Sequence, residues 1–286
     1  MADTVVLYLT HFIDDQVIAE VARLRAECGD AYDVRILLNI NDDHDPDPDR
    51  AVPATVITET DRRALPYPSR NSGRYDSTQP GGPDLAMLAF RARHPHYKHY
   101  WLIEYDVRFT GDWRALFDHF ADDDAALLAT TLHHHATNPR WHHWRSIAIP
   151  QATLAEGGEP RRIRGFFPFY RLSAEGAECL DSAMRAGWDG IYEVTWPTIL
   201  AHAGLVIEDI GGDGPFVRPE NVNRFYQNNP GIDTLAPGTF VYRPMLRRVR
   251  ETARAALWHP VKKHKHNHPL YAAARGLYRF AWPRET

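Results

Sequence analysis

Apolar residues along this chain follow two alternating rhythms: short unbroken runs, and longer stretches in which they recur every three or four positions. The first rhythm marks strands covered on both faces, and the second marks helices with one buried stripe. Residues 5–9 form the first run, which closes on Thr10 and His11. Asp14 or Asp15 then suits an N-cap, Val17, Val21, Leu24 and Cys28 fall at helical spacing, and Gly29 stops the helix. Residues 34–40 predict a second strand that ends in Asn41, Asp42 and Asp43. Strand, helix and strand in that order predict a right-handed parallel crossover, with the ends at Thr10 and Asn41 on one sheet edge.

Further on, residues 55–58 predict a short strand. Residues 67–82, rich in Pro, Gly, Ser and Asn, predict a long loop in which Arg70, Asn71 and Arg74 suit either phosphate or plain solvent. Asp84 suits the cap of a helix carrying Leu85, Leu88, Ala89 and Ala92. The run Tyr100-Trp101-Leu102-Ile103 then flows into Glu104 and Asp106, one residue apart, before Gly111 and Asp112 break it. Asp112 caps a helix with Trp113, Leu116, Phe117 and Phe120 as its stripe. Residues 125–131 and 163–172 predict strands, the latter with an irregular middle. Ser173 caps a helix bearing Ala177, Leu180 and Met184. A turn at 187–190 leads to a helix near Pro197; proline suits only a first turn, so Glu193 falls at or just before the start. A late strand at 205–207 and a turn at 211–214 follow.

This unbroken alternation predicts an α/β fold with a mixed, mostly parallel central sheet flanked by helices. The body runs to about residue 242, and 243–286 is read as a basic extension with helices at 247–257 and 270–282. A chain of 286 residues, 44% hydrophobic and 24% charged, suits one large domain with such an appendage. No apolar run reaches the ~18 residues of a spanning helix. The amino terminus enters a strand without the basic and apolar regions of a signal peptide. Cys28 and Cys179 both sit in helical patterns and read as reduced thiols, so the cytoplasm is the expected compartment. The net charge of −4 hides an asymmetry: residues 243–286 hold eleven Lys or Arg against two acids. Such a segment suits an anionic membrane surface or an acidic partner, or folds back on the acidic body. No nucleic-acid partner is expected.

The candidate chemistry centres on Glu104 and Asp106. Residues i and i+2 of a strand share a face, and two converging carboxylates repel unless a cation lies between them. A hard divalent ion, Mn²⁺ or Mg²⁺, that also grips phosphate fills that role. Strand-end acids paired with arginines are the alternative. Ligands of open α/β sheets bind just outside such strand ends. The acidic run 43–49 lacks the central Gly and terminal Glu of an EF-hand, so it is not read as a calcium loop. His133, His134, His135, His142 and His143 crowd around Trp141 and Trp144 without Cys or Glu at zinc spacing. A mobile acceptor-side loop with aromatic stacking surfaces suits them better than a zinc site. Glu193 reads as a substrate-facing acid or as a complement to the helix dipole.

The order of these parts resembles the GT-A glycosyltransferases, and Glu104-Tyr105-Asp106-Val107 resembles a signature of poorly characterised glycosyltransferase-like proteins. Glu104-Tyr105-Asp106 stands where that superfamily carries its Asp-x-Asp motif, with Glu in place of the first Asp. Glu193 stands at the later catalytic acid, and His259 at the C-terminal metal-binding histidine. The resemblance implies a metal-dependent, inverting transfer of a sugar from a nucleotide-sugar donor to a hydroxyl of a glycan, lipid or polysaccharide. It implies base and ribose near Thr10, His11, Asn41 and Asp42, a Mn²⁺ or Mg²⁺ on Asp106, Glu104 and His259, and Glu193 as the base. Trp141, Trp144, Phe166, Phe167 and Trp196 are candidate sugar-stacking rings. A non-catalytic nucleotide-sugar or glycan binding module is the alternative. So is a nucleotidyltransferase, although Thr10-His11-Phe12-Ile13 lacks the Gly-rich basic loop such an enzyme shows. The inner face of the membrane is then a peripheral station for 243–286.

Overall fold

The computed structural model describes residues 2–43, 53–69, 82–228, 238–242, 245–249 and 254–262. Its centre is a seven-stranded sheet in the order β3-β2-β1-β4-β7-β6-β8. The strands are β1 (Thr4–Thr10), β2 (Asp33–Asn39), β3 (Ala54–Ile57), β4 (His99–Glu104), β6 (Leu127–His134), β7 (Ile163–Ser173) and β8 (Ile207–Asp209). Every neighbouring pair is parallel except those of β7, which runs against both β4 and β6. This is the mixed, mostly parallel α/β sheet flanked by helices that the alternation predicts.

The unbroken apolar runs have a direct cause. Side chains alternate between the two faces of a strand, and both faces of this sheet are covered. Val5, Leu7 and Leu9 of β1 enter a core with α3 (Pro83–Arg93), α6 (Ala174–Arg185) and α7 (Tyr192–His202). Val6 and Tyr8 enter the opposite core with α1 (Asp15–Cys28) and α4 (Trp113–His119). In β4, Tyr100 and Leu102 face the first core, and Trp101 and Ile103 the second. Each such side chain, once fully buried, contributes roughly 1.5–3 kcal/mol.

The caps follow side-chain chemistry. Asp14, Asp112 and Ser173 each accept a hydrogen bond from a first-turn amide of α1, α4 and α6. Asp84 does not cap α3. Gly82 takes that place, Pro83 opens the helix, and Asp84 is buried in the first turn. A short helix not anticipated from the pattern, α2 (Glu59–Arg63), is announced by a capping box between Thr58 and Asp61. One further helix, α5 (Gln151–Gly157), precedes β7.

Two expectations near the carboxyl terminus are corrected. α7 begins at Tyr192, and Pro197 lies inside it, where it cannot donate to the carbonyl of Glu193 four residues back. Glu193 is therefore in the first turn, although Pro197 does not mark that turn. The helix expected at 247–257 is absent among its described residues, and Leu257–Trp258 instead form β9, antiparallel to β5 (Arg108–Phe109). The physical reason is the burial period. Ala256 and Trp258 face one small cluster with Val261, whereas Leu257 enters the core beside α1 and α4. That alternation is strand-like, and a helix would bury residues three or four apart. The helix expected at 270–282, the loop residues Arg70, Asn71 and Arg74, and most of the acidic run 43–49 lie outside the described residues. Among the described residues, no helix is long and apolar enough to cross a membrane.

Candidate functional site

The carboxyl ends of β2, β1 and β4 open on one edge of the sheet, and a cavity of about 540 Å³ lies there. Its floor is made by Leu9, Thr10, His11, Asn39, Glu104, Tyr105 and Asp106. Phe166 and Pro168 of β7, and Tyr192 and Glu193 of α7, form one wall. Tyr242, Met245, His259, Pro260 and Lys262 close another, and Pro83 opens onto it from α3.

The closing wall is a strap stitched to the segment after β4. Thr110 N–H donates to Ala256 O at 3.1 Å, and Val261 N–H donates to the backbone carbonyl of Asp106 at 2.8 Å. His259 N–H donates to Thr239 O at 3.0 Å, and Val241 N–H donates to His259 O at 3.1 Å. These bonds carry His259 and Lys262 to Asp106. Ligand atoms of Glu104, Asp106 and His259 lie within 4.8 Å of one another, the one such group of three among the described residues.

The protonation pattern follows from the partners. His259 Nδ1 is 2.7 Å from Val241 O, which can only accept, so the ring proton sits on Nδ1. In the neutral ring, Nε2 then presents a lone pair, 3.4 Å from Asp106 Oδ1. Asp106 Oδ1 is buried and has no hydrogen-bond partner among the described residues. Asp106 Oδ2 is held by Lys262 Nζ at 3.0 Å, and that ammonium also lies over the Tyr105 ring. An unpaired buried oxygen costs about 1–3 kcal/mol. With the His259 ring neutral, two carboxyl groups and an imidazole present lone pairs around a shared point, a donor set that suits Mn²⁺ or a similar divalent ion.

The charges around this point are tightly linked. Burial raises the Asp106 carboxyl, but the His259 ring, when it also carries a proton on Nε2, and the Lys262 ammonium outweigh it and hold it at about 2. Burial, Asp106 and Glu193 push Glu104 well above the usual carboxylate range. Burial lifts Glu193 to about 7, against the opposing pull of Arg164 and the Phe167 amide. Burial pulls the Lys262 ammonium down, and Asp106 and Tyr105 more than offset it.

Of the residues anticipated from sequence, Thr10, His11, Glu104, Asp106, Glu193 and His259 all line this one cavity. Asn41 and Asp42 do not. Asn41 Oδ1 accepts from Arg62 Nη2 at 3.3 Å, and Asp42 takes Thr60 Oγ1 at 2.6 Å. The turn after β2 carries both toward α2, and Asn39, the last residue of β2, lines the cavity in their stead. The Thr10 hydroxyl is already committed, donating to Phe12 O at 2.7 Å. Among the described residues no arginine lines the cavity; the cation beside Asp106 is Lys262, which sequence reasoning passed over although it follows His259 by three residues. Of the candidate stacking rings, Phe166 lines the cavity and meets the His259 ring edge-on at 5.1 Å. Trp144, Phe167 and Trp196 are buried, and Trp141 lies under Arg164 away from the lining. Among the described residues, the histidines at 133–135 and 142–143 join no group of three potential metal ligands.

A family described as "Protein of unknown function (DUF3405)" matches residues 17–125. That stretch contains Glu104 and Asp106 and stops short of Glu193 and His259. Among curated proteins, none matches this chain in sequence. The fold is similar to mouse xyloside xylosyltransferase 1 in its apo form, at 10% identity and a TM-score of 0.38, covering 74% of this chain and 86% of that one. It is also similar to HddC from Yersinia pseudotuberculosis, at 12% identity and a TM-score of 0.32, covering 68% of this chain and 84% of that one.

Proposed function

We propose that this chain is a metal-dependent glycosyltransferase of GT-A type that moves a sugar from a nucleotide-sugar donor to a hydroxyl acceptor. One observation carries the reading: Glu104, Asp106 and His259 converge in a cavity at the strand ends, where Asp106 Oδ1 is buried with no hydrogen-bond partner among the described residues. Asp106, Glu104 and His259 would hold Mn²⁺ or Mg²⁺, which supplies Lewis-acid stabilisation of the charge that builds on the departing diphosphate.

The chain's own residues divide the remaining work. Leu9, Thr10, His11 and Asn39 offer the β1–β2 end of the cavity to the nucleoside. Lys262, charged and fixed against Asp106, adds positive potential where the diphosphate lies. Phe166 and Tyr192 give the sugar an apolar and aromatic side. Glu193, across the cavity, takes the proton of the acceptor hydroxyl as that oxygen bonds to the anomeric carbon and the bond to phosphate breaks, so the nucleoside diphosphate leaves. A base that titrates at about 7 is matched to this task at neutral pH. Attack opposite the leaving group inverts the anomeric centre.

The basic segment 243–286 is proposed to add a peripheral hold on an anionic membrane surface, which would suit a lipid-linked or polysaccharide acceptor.

Calorimetric titration with nucleoside diphosphates and their sugar derivatives, with and without Mn²⁺, tests the reading. Metal-dependent binding with slow donor hydrolysis supports it. Metal-independent binding with no turnover would make the chain a binding module instead. An Asp106→Ala variant with full donor affinity and turnover removes the site assignment.

A further inference from the structure

At the β2 end of the cavity lies a polar side chain whose orientation is dictated from behind. Asn39 lines the cavity and is 3% exposed, and the guanidinium of Arg62 behind it is 2% exposed. Arg62 Nη1 donates to Asn39 Oδ1 and also to Ile40 O at 3.0 Å. α2 and its capping box hold Arg62 in this place. A guanidinium has donors and no acceptor, so only the oxygen end of the amide can face it. The Asn39 Nδ2 amino group is thereby turned away from Arg62, and it makes no hydrogen bond among the described residues. A donor held in a cavity wall, with no partner among the described residues, is met by an acceptor on the ligand.

The position of this donor narrows the ligand. β2 is two strands from β4 in the sheet, roughly 10 Å at the usual strand spacing. If the diphosphate lies by Asp106 and Lys262, a ribose and base extend over that distance toward Asn39. We propose that Asn39, oriented by Arg62, is a specificity-determining donor that selects a nucleobase bearing an exocyclic carbonyl over its amino counterpart. The chemical class is the oxo bases: uracil over cytosine if the cavity takes a pyrimidine, guanine over adenine if it takes a purine. This inference rests on the glycosyltransferase reading and adds to it the hydrogen-bond sense of the donor's base.

The test is calorimetry of the full chain with Mn²⁺ and the matched pairs UDP and CDP, and GDP and ADP. Within the pair that binds, the oxo member is expected to bind about tenfold tighter or more, since the amino member leaves a buried donor facing a donor. Asn39→Asp turns an acceptor toward the cavity and is expected to abolish or reverse that preference. Arg62→Lys, which still only donates, is expected to keep it; loss of the preference there with binding otherwise intact overturns the orienting role of Arg62. Equal affinities in the parent protein, or a preference that survives Asn39→Asp, overturn the inference while Mn²⁺-dependent binding keeps the transferase reading. Absence of any nucleoside diphosphate binding, with and without Mn²⁺, overturns both.

Discussion

Asp106 Oδ1 and His259 Nε2 face each other at 3.4 Å, although the two residues are 153 positions apart in the sequence. When the ring carries a single proton, on Nδ1, both atoms present lone pairs, and a second proton on Nε2 makes the contact an ion pair instead. Two such atoms rest comfortably side by side only when a cation or a shared proton lies between them. Glu104 adds a third ligand atom to the same point.

The first expected outcome concerns that point. Mn²⁺ binding, followed by electron paramagnetic resonance of the free ion, weakens by about 10–100-fold or more in His259→Ala or Asp106→Asn, since loss of a ligand costs at least what loss of a ligand's outer partner does. Affinity also rises with pH, because Glu104 is held protonated above the usual carboxylate range and must give up its proton to bind. Equal Mn²⁺ affinity in the parent and both variants contradicts this.

Glu193 gives a pH signature with a definite sign. Below about 7 the carboxyl is protonated and takes no proton, so turnover rises through about pH 7 and levels off above it. Glu193→Gln removes that rise along with most of the activity. Stability moves the other way. A carboxyl whose folded value is raised contributes stability below its unfolded value of 4.5, and that contribution is lost as pH climbs toward about 7. Glu193→Gln is therefore expected to melt higher than the parent at pH 8 and to show little difference at pH 4.

Lys262 tests the electrostatic balance. Removing one partner of a nearly buried pair strands the other charge. The Lys262 side chain is 28% exposed, so water recovers part of the loss. Lys262→Met in the metal-free protein is expected to cost about 1–2 kcal/mol by denaturant unfolding. Mn²⁺ should restore more stability to the variant than it adds to the parent, since the ion then carries the whole counter-charge of Asp106. An unchanged unfolding midpoint without metal argues against the pair.

For the basic segment, the place of the cut decides the experiment. Ending the chain at Val241 removes β9, His259 and Lys262, and Leu257 leaves the core, so loss of lipid binding there would have no single cause. Ending it at Lys262 spares the strap. In liposome flotation with anionic lipid, that shorter chain is expected to remain in the soluble fraction while the full chain floats. Equal flotation of the two refutes the membrane hold.

Much of this architecture is legible along the chain. The runs at 5–9 and 100–103 are apolar throughout because both faces of β1 and β4 are covered, and this is a property of each strand by itself. Asp14, Asp112 and Ser173 announce α1, α4 and α6 because a cap acts within three residues. The spacing of Glu104 and Asp106 brings them to one strand end, but β4 stops at Glu104, and the turn closed by Val107 N–H to Glu104 O at 2.9 Å, not the two-residue strand period, carries Asp106 beside it. The tertiary structure decides the rest. β5 and β9 have two residues each, too few to display a period, and their pairing spans the chain from Arg108 to Trp258. That pairing turns a segment resembling a basic helix into the strap that brings His259 and Lys262 to Asp106. It likewise takes the turn of the chain after β2 to show that Asn39 faces the cavity while Asn41 and Asp42 bind Arg62 and Thr60. Local patterns encode which face of an element is buried; which distant side chains share a cavity depends on contacts that carry no periodic signal.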